Sequence, residues 1–191
     1  VFDVFFTEPE SVASDDLFQR SIMQSGRVVL PVVFDFQEGG YKESGFTDQK
    51  IEFLLPSAYM AMKNTDIPSA VPRAKMVLPT LLRFSTFAKT LAHINMNPDI
   101  DGTLRWEMLA VDYQDDYYAP IGLQAARLYR DVPTEKMVLD FSGAVQVGDV
   151  TIPTDEFGRM LINYRGPNKT FPMFPISDLL DQTLPAGTFK D

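Results

Sequence analysis

Apolar residues in this chain fall into short runs and short helical stripes, punctuated by Pro, Gly and Asp, a pattern that predicts many brief elements. Val1 to Phe6 is apolar except for Asp3 and reads as a strand covered on both faces, ending at Thr7-Glu8-Pro9-Glu10. Ser14 or Asp15 caps an expected helix running to about Ser25, with Leu17, Phe18 and Ile22 as its apolar stripe and Gly26 closing it. Arg27 to Phe34 reads as a strand in which Pro31 marks an end, a bulge or an edge. Strand, helix, strand in this order predicts a right-handed βαβ unit.

Gln37 to Asp48 is a polar, Gly-containing loop, Leu55 to Asn64 a candidate short helix, and the Pro-punctuated stretch Ile67 to Pro79 an irregular crossing. From Thr80, Leu81, Phe84, Phe87, Ala88 and Leu91 recur at helical spacing. Asp101-Gly102 offers a tight hairpin turn into a strand from Leu104 to Tyr113, and Asp115-Asp116 a second turn. Pro120 opens a helix packed through Ile121, Leu123, Ala125, Ala126 and Leu128, with Arg127 and Arg130 near its C-terminal end. Val138 to Phe141 and Gly148 to Pro153 are expected strands. They lead into the best-specified stretch, Ile152 to Gly166, read as strand, turn and strand around Thr154, Asp155 and Gly158. A short helix is expected at Ser177 to Leu180, and Thr188 to Asp191 reads as the lead into a further strand. The predicted class is α/β: a mixed, partly parallel central sheet flanked by helices, with antiparallel hairpin additions.

Composition narrows the function classes. At 191 residues and 45% hydrophobic content the chain fits one domain with a real core. A net charge of −9 argues against a nucleic-acid partner or an anionic membrane surface, since both need clustered Lys and Arg. Zero cysteines remove disulfides and thiolate chemistry. No apolar run reaches the roughly 18 residues of a membrane span, and the chain begins without Met inside an apolar run, as a piece of a longer protein would.

Candidate chemistry is sparse. Asn97-Pro98-Asp99-Ile100-Asp101-Gly102 imitates the start of an EF-hand loop, but Met108 stands where the bidentate Glu is needed, so the string reads as a turn. His93 is the single histidine, and no GxSxG elbow supplies it with a nucleophile. No phosphate loop, dinucleotide fingerprint or zinc ligand set occurs, so no cofactor or metal is implied. What remains is a set of polar groups expected around strand ends as a ligand site: Asp3, Glu8, Asn95, Asp101, Arg105, Asn163 and Arg165. Asp155 reads as a turn residue bonding its own backbone.

Three strings together resemble the type 2 CHASE domain, an extracellular sensory module found ahead of bacterial adenylate cyclases, histidine kinases and diguanylate cyclases. They are VFDVFFTEPE, then HINMNPDIDGTLRWEMLAVDY with YAPIGLQAARLY, then IPTDEFGRMLINYRGPNKTFPMFPISDLL. Gln37 to Pro79 matches no part of that pattern. The family's usual earlier strand and helix, its last strand and its membrane segments are also lacking, so the chain is expected to be one sensor domain truncated at both ends. The resemblance implies a periplasmic or extracellular, non-enzymatic domain of an inner-membrane receptor. It also implies an unidentified small ligand, a link to the membrane only through the flanking helices, and a homodimer in the full-length receptor. Two alternatives stand beside it: a secreted hydrolase using His93, and a non-catalytic dimerisation or partner-binding module.

Overall fold

In the computed structural model, which describes residues 1–37, 52–167 and 169–188, mixed parallel and antiparallel sheets are flanked by helices. Helix α1 spans Val12–Ser25 and is capped by Ser11, one turn before the expected cap, whose hydroxyl accepts from the Ser14 amide. Asp15 is instead buried, accepting from the Glu10 amide and from Arg83, which also bonds Asp16. Gly26 ends the helix in the left-handed region at φ 59°, where a side chain would be strained.

The first sheet places strand β1, Val29–Asp35, between β3, Met76–Pro79, and β4, Thr90–His93; a short β2, Ala61–Lys63, lies in the second sheet. β1 pairs antiparallel with β3 and parallel with β4. Pro31 therefore sits in a central strand, not at an edge. Its missing donor is tolerated because Phe2 and Asp35 show the odd positions of β1 facing the β3 side, and β3 pairing begins only at Val32. Val1 to Phe6, expected as a strand, runs as an irregular segment tied by single bonds, Phe2 N to Val29 O at 3.1 Å and Leu81 N to Phe6 O at 2.8 Å. The expected βαβ unit is thus replaced by a parallel pair made from β1 and β4.

The helix expected from Thr80 is one turn, α2, Leu82–Ser85, after which Leu91 belongs to β4. Leu91, Ala92 and His93 are all buried, so the run pairs with β1 instead of continuing a one-sided stripe. Leu55 to Asn64 forms a single 3-10 turn, Leu55–Ser57, followed by β2. The loop expected at Gln37 to Asp48 lies, beyond Gln37, outside the described residues.

The expected strand Leu104 to Tyr113 divides into β5, Trp106–Met108, and β6, Val111–Tyr113; β6 turns through Gln114 and Asp115, both at positive φ, into β7, Asp116–Tyr118. Helix α3 covers Ile121–Tyr129. Strands β8, Met137–Asp140, β9, Ala144–Val147, and β10, Val150–Pro153, form a meander beside β2. β11, Arg159–Leu161, pairs with β5, so β10 and β11 belong to different sheets and Ile152 to Gly166 is a crossing between them, not a hairpin. A short α4, Ile176–Leu180, follows, as expected.

Two apolar cores result. One gathers Ile22, Leu30, Val32, Phe34, Val77, Phe84 and Leu91 around the first sheet, extended by a stack of Phe2, Phe6, Phe18 and Phe84. The other gathers Leu109, Leu123, Met137, Leu139, Val145 and Val147 between α3 and the second sheet.

Candidate functional site

The seven polar positions separate in space. Asn95 is structural: its carboxamide accepts from Phe34 N at 2.9 Å and donates to Phe34 O at 2.7 Å, imitating a strand partner just past the end of β4. Arg105 grips Asp101 with both guanidinium nitrogens, at 3.0 and 2.8 Å, and Asp99 at 2.7 Å. That bidentate grip holds the Asp101 carboxyl at about 2, below its usual range, and the opposing carboxylates raise Arg105. A guanidinium so engaged also leaves no acidic pair facing a cation, which disposes of the calcium-loop likeness. The Asp101-Gly102 turn closes locally, through Asp99 and Thr103, and joins no two strands.

Asn163 and Arg165 follow β11 beside this turn, where Ile162 N reaches Arg105 O at 2.8 Å and the Tyr164 hydroxyl donates to Leu104 O at 2.6 Å. Both are exposed. Asp3 and Glu8 are exposed on the irregular N-terminal segment. Asp101, Arg105, Asn163 and Arg165 therefore share one end of the molecule, while Asp3, Glu8 and Asn95 do not join them. Asp155 is the turn residue that the sequence suggests: it accepts from the amides of Phe157 and Arg159 and pairs with the Arg159 guanidinium, which lies over the rings of Trp106 and Phe157.

His93 has no exposure, and neither ring nitrogen has a hydrogen-bond partner among the described residues. Burial pushes its pKa down to about 3; the Met108 backbone acts the other way without forming a hydrogen bond of ordinary geometry. A neutral imidazole whose ring nitrogens reach no hydroxyl or carboxylate partner among the described residues does not have the arrangement of a hydrolase triad. Among the described residues no group of three or more His, Asp or Glu is placed to hold a metal, and no helix is long and apolar enough to cross a membrane.

A concave surface among the described residues lies at the C-terminal end of α3. Three adjoining depressions share walls there: one of about 590 Å³ lined by Gly26, Arg27, Lys89, Leu128, Tyr129 and Asp131, a second of about 410 Å³ reaching Arg127 and Glu135, and a third of about 690 Å³ reaching Lys136, Gln146 and Asp149. Each wall has a local cause. Arg27 follows the glycine that ends α1, and Lys89 donates its amide to Val28 O at 2.8 Å, so both stand at the starts of the parallel strands β1 and β4.

The end of α3 is built from Arg127. The Asp131 amide bonds Leu128 O and the Val132 amide bonds Arg127 O, both within about 3.1 Å, the paired bonds of a Schellman termination. Asp131 occupies the left-handed position of that motif at φ 51°, the conformation Gly26 adopts after α1. Beneath it, Arg127, 3% exposed, donates Nη1 to Val132 O at 2.9 Å and Nε to Gln124 Oε1 at 2.6 Å. Burial lowers the Arg127 pKa, and the Glu135 carboxylate opposes that. Gln124, fully buried, passes the chain on to Ser57 O at 3.3 Å, and the Ser57 hydroxyl accepts from Leu91 N in β4 at 2.8 Å. This buried polar relay ties the groove's turn to the first sheet. Arg130 is committed to Asp149 at 2.7 Å, whereas Arg27, Lys89 and Asp131 form no ion pair among the described residues. The sequence pattern sets Arg127 and Arg130 near a helix end but does not reveal this groove, because its walls come from parts of the chain about 40 to 60 residues apart.

With this geometry in place, comparison with known proteins gives one match: the CHASE2 domain family matches residues 1–191. The chain therefore belongs to the CHASE2 family. CHASE2 domains are extracytoplasmic sensor modules of bacterial inner-membrane receptors, linked to signal-transduction output domains; they bind small extracellular ligands and are not catalytic. This chain is such a signal-input domain, not an enzyme. No match was found among curated proteins or solved structures.

Proposed function

We propose that this sensor domain receives a small polar solute in the groove at the end of α3. The observation that carries the reading is the convergence of three charged groups that form no ion pair among the described residues, Arg27, Lys89 and Asp131, on one depression, with a buried relay beneath it. Charges gathered in a concave site and left without internal partners suit a ligand better than they suit fold stability, to which exposed charges add little. The groove spans the starts of β1 and β4 and the end of α3, so a solute bound across it favours one arrangement of these elements, which is how binding biases a receptor.

A thermal-shift screen against small extracellular metabolites tests this, since a solute that binds only the folded domain raises its melting temperature. Stabilising solutes are expected, and their effect should vanish in Lys89→Glu. A screen with no stabilising solute, or with solutes indifferent to that substitution, overturns the site. The cluster of Asp101, Arg105, Asn163 and Arg165 is a second proposed ligand face, favoured by the exposure of Asn163 and Arg165 beside the Arg105 turn; substitutions there would abolish the response if it is the site. The full receptor is proposed to work as a homodimer.

A further inference from the structure

We infer that the groove's ligand is a zwitterion of the α-amino acid type, its carboxylate held by Arg27 and Lys89 and its ammonium by Asp131. The inference rests on the groove being the site, and adds the class of ligand. Two cations and one carboxylate line the same depression of about 590 Å³, and none of the three is neutralised by an ion pair among the described residues. Guanidinium and ammonium donors match a carboxylate, while a carboxylate acceptor matches an ammonium. A plain anion would meet Asp131 as a repulsive charge, and a plain amine would meet Arg27 and Lys89 likewise.

The position of Asp131 supports a role for its side chain. The left-handed residue ending an α-helix in this motif is usually Gly, and a side chain there costs conformational energy, as it also does at Gln182 after α4. The Asp131 carboxylate makes no hydrogen bond or ion pair among the described residues that would repay that cost through the fold. Leu128 and Tyr129 supply an apolar wall for the ligand's side chain, and the volume accommodates a molecule of amino-acid size.

The test is calorimetric titration and thermal shift of the intact domain with each of the twenty common L-amino acids. The strongest binder is then compared with its deaminated acid and its decarboxylated amine. At least one amino acid is expected to bind, and both counterparts to bind at least about tenfold more weakly. Arg27→Ala, Lys89→Ala and Asp131→Asn should each weaken the amino acid by about tenfold without lowering the melting temperature of the free domain. A deaminated acid that binds as well, or Asp131→Asn binding more tightly, overturns the zwitterion in favour of a simple anion. If no amino acid binds, the ligand class falls; the groove reading survives that result only if a solute from the wider screen loses its effect in Lys89→Glu.

Discussion

The fully buried His93 carries a cost that depends on pH. Its pKa is about 3 in the folded state against the ordinary 6.5, so between these values the unfolded chain binds a proton that the folded chain does not. Stability therefore rises with pH across this window and falls as the solution is acidified below 6.5, by about 1.4 kcal/mol per unit once well below it. Glu107 and Asp112, whose pKa values burial raises, act with the opposite sign and at lower pH, nearer the usual carboxylate range. Urea unfolding at pH 7 and pH 5.5 should show a loss of about 1 kcal/mol, absent in His93→Leu; an unchanged slope in that variant would refute the assignment. Asp131 carries a different cost, paid in backbone conformation. Asp131→Gly relieves a side chain in the left-handed region, and should stabilise the domain by roughly 0.5–1 kcal/mol while removing the ligand response. A lower melting temperature would show that the carboxylate serves the fold.

Elements of this protein are short because the chain changes partners often, and this limits what periodicity reveals. Helices α1 and α3 were legible, each having a stripe several residues long and a recognisable start or stop. The stretch from Leu81 to Leu91 was not: one helical turn and one strand share an apolar spacing that a single helix would also produce, and only pairing with β1 separates them. Pro31 misled for a related reason, since what matters is which side of the strand its nitrogen faces. Asn95 shows how an element ends with a side chain. Replacing it with Ala leaves Phe34 N and O without partners at the edge of β1, and should cost about 2 kcal/mol in urea unfolding, with faster hydrogen exchange at the Phe34 amide. An unchanged exchange rate would mean that water fills the role at no cost.

At the scale of the molecule, the α/β class was legible from the mixture of patterns, but the division of the described strands into four sheets around two cores was not. It depends on the chain leaving one sheet for another at Leu109-Ala110, where the sequence reads as an unbroken strand, and at Thr154 to Gly158, where it shows only turn chemistry. The groove was illegible for the same reason, being made by distant segments. A net charge of −9 opposes self-association at long range, yet the surface after β11 is apolar: Phe171, Met173, Ile176 and Leu180 are each at least 67% exposed. If the receptor works as the proposed homodimer, these exposed apolar side chains are where a second copy of this chain would pack. Like charges repel less in salt, so the apolar contact should prevail as ionic strength rises. Light scattering after gel filtration should therefore show the mass moving toward twice the chain mass with increasing salt and protein concentration. Ile176→Ser with Leu180→Ser should hold it at one chain without altering the melting temperature of the monomer. A wild-type mass of one chain under all these conditions would place the receptor's dimer contact elsewhere.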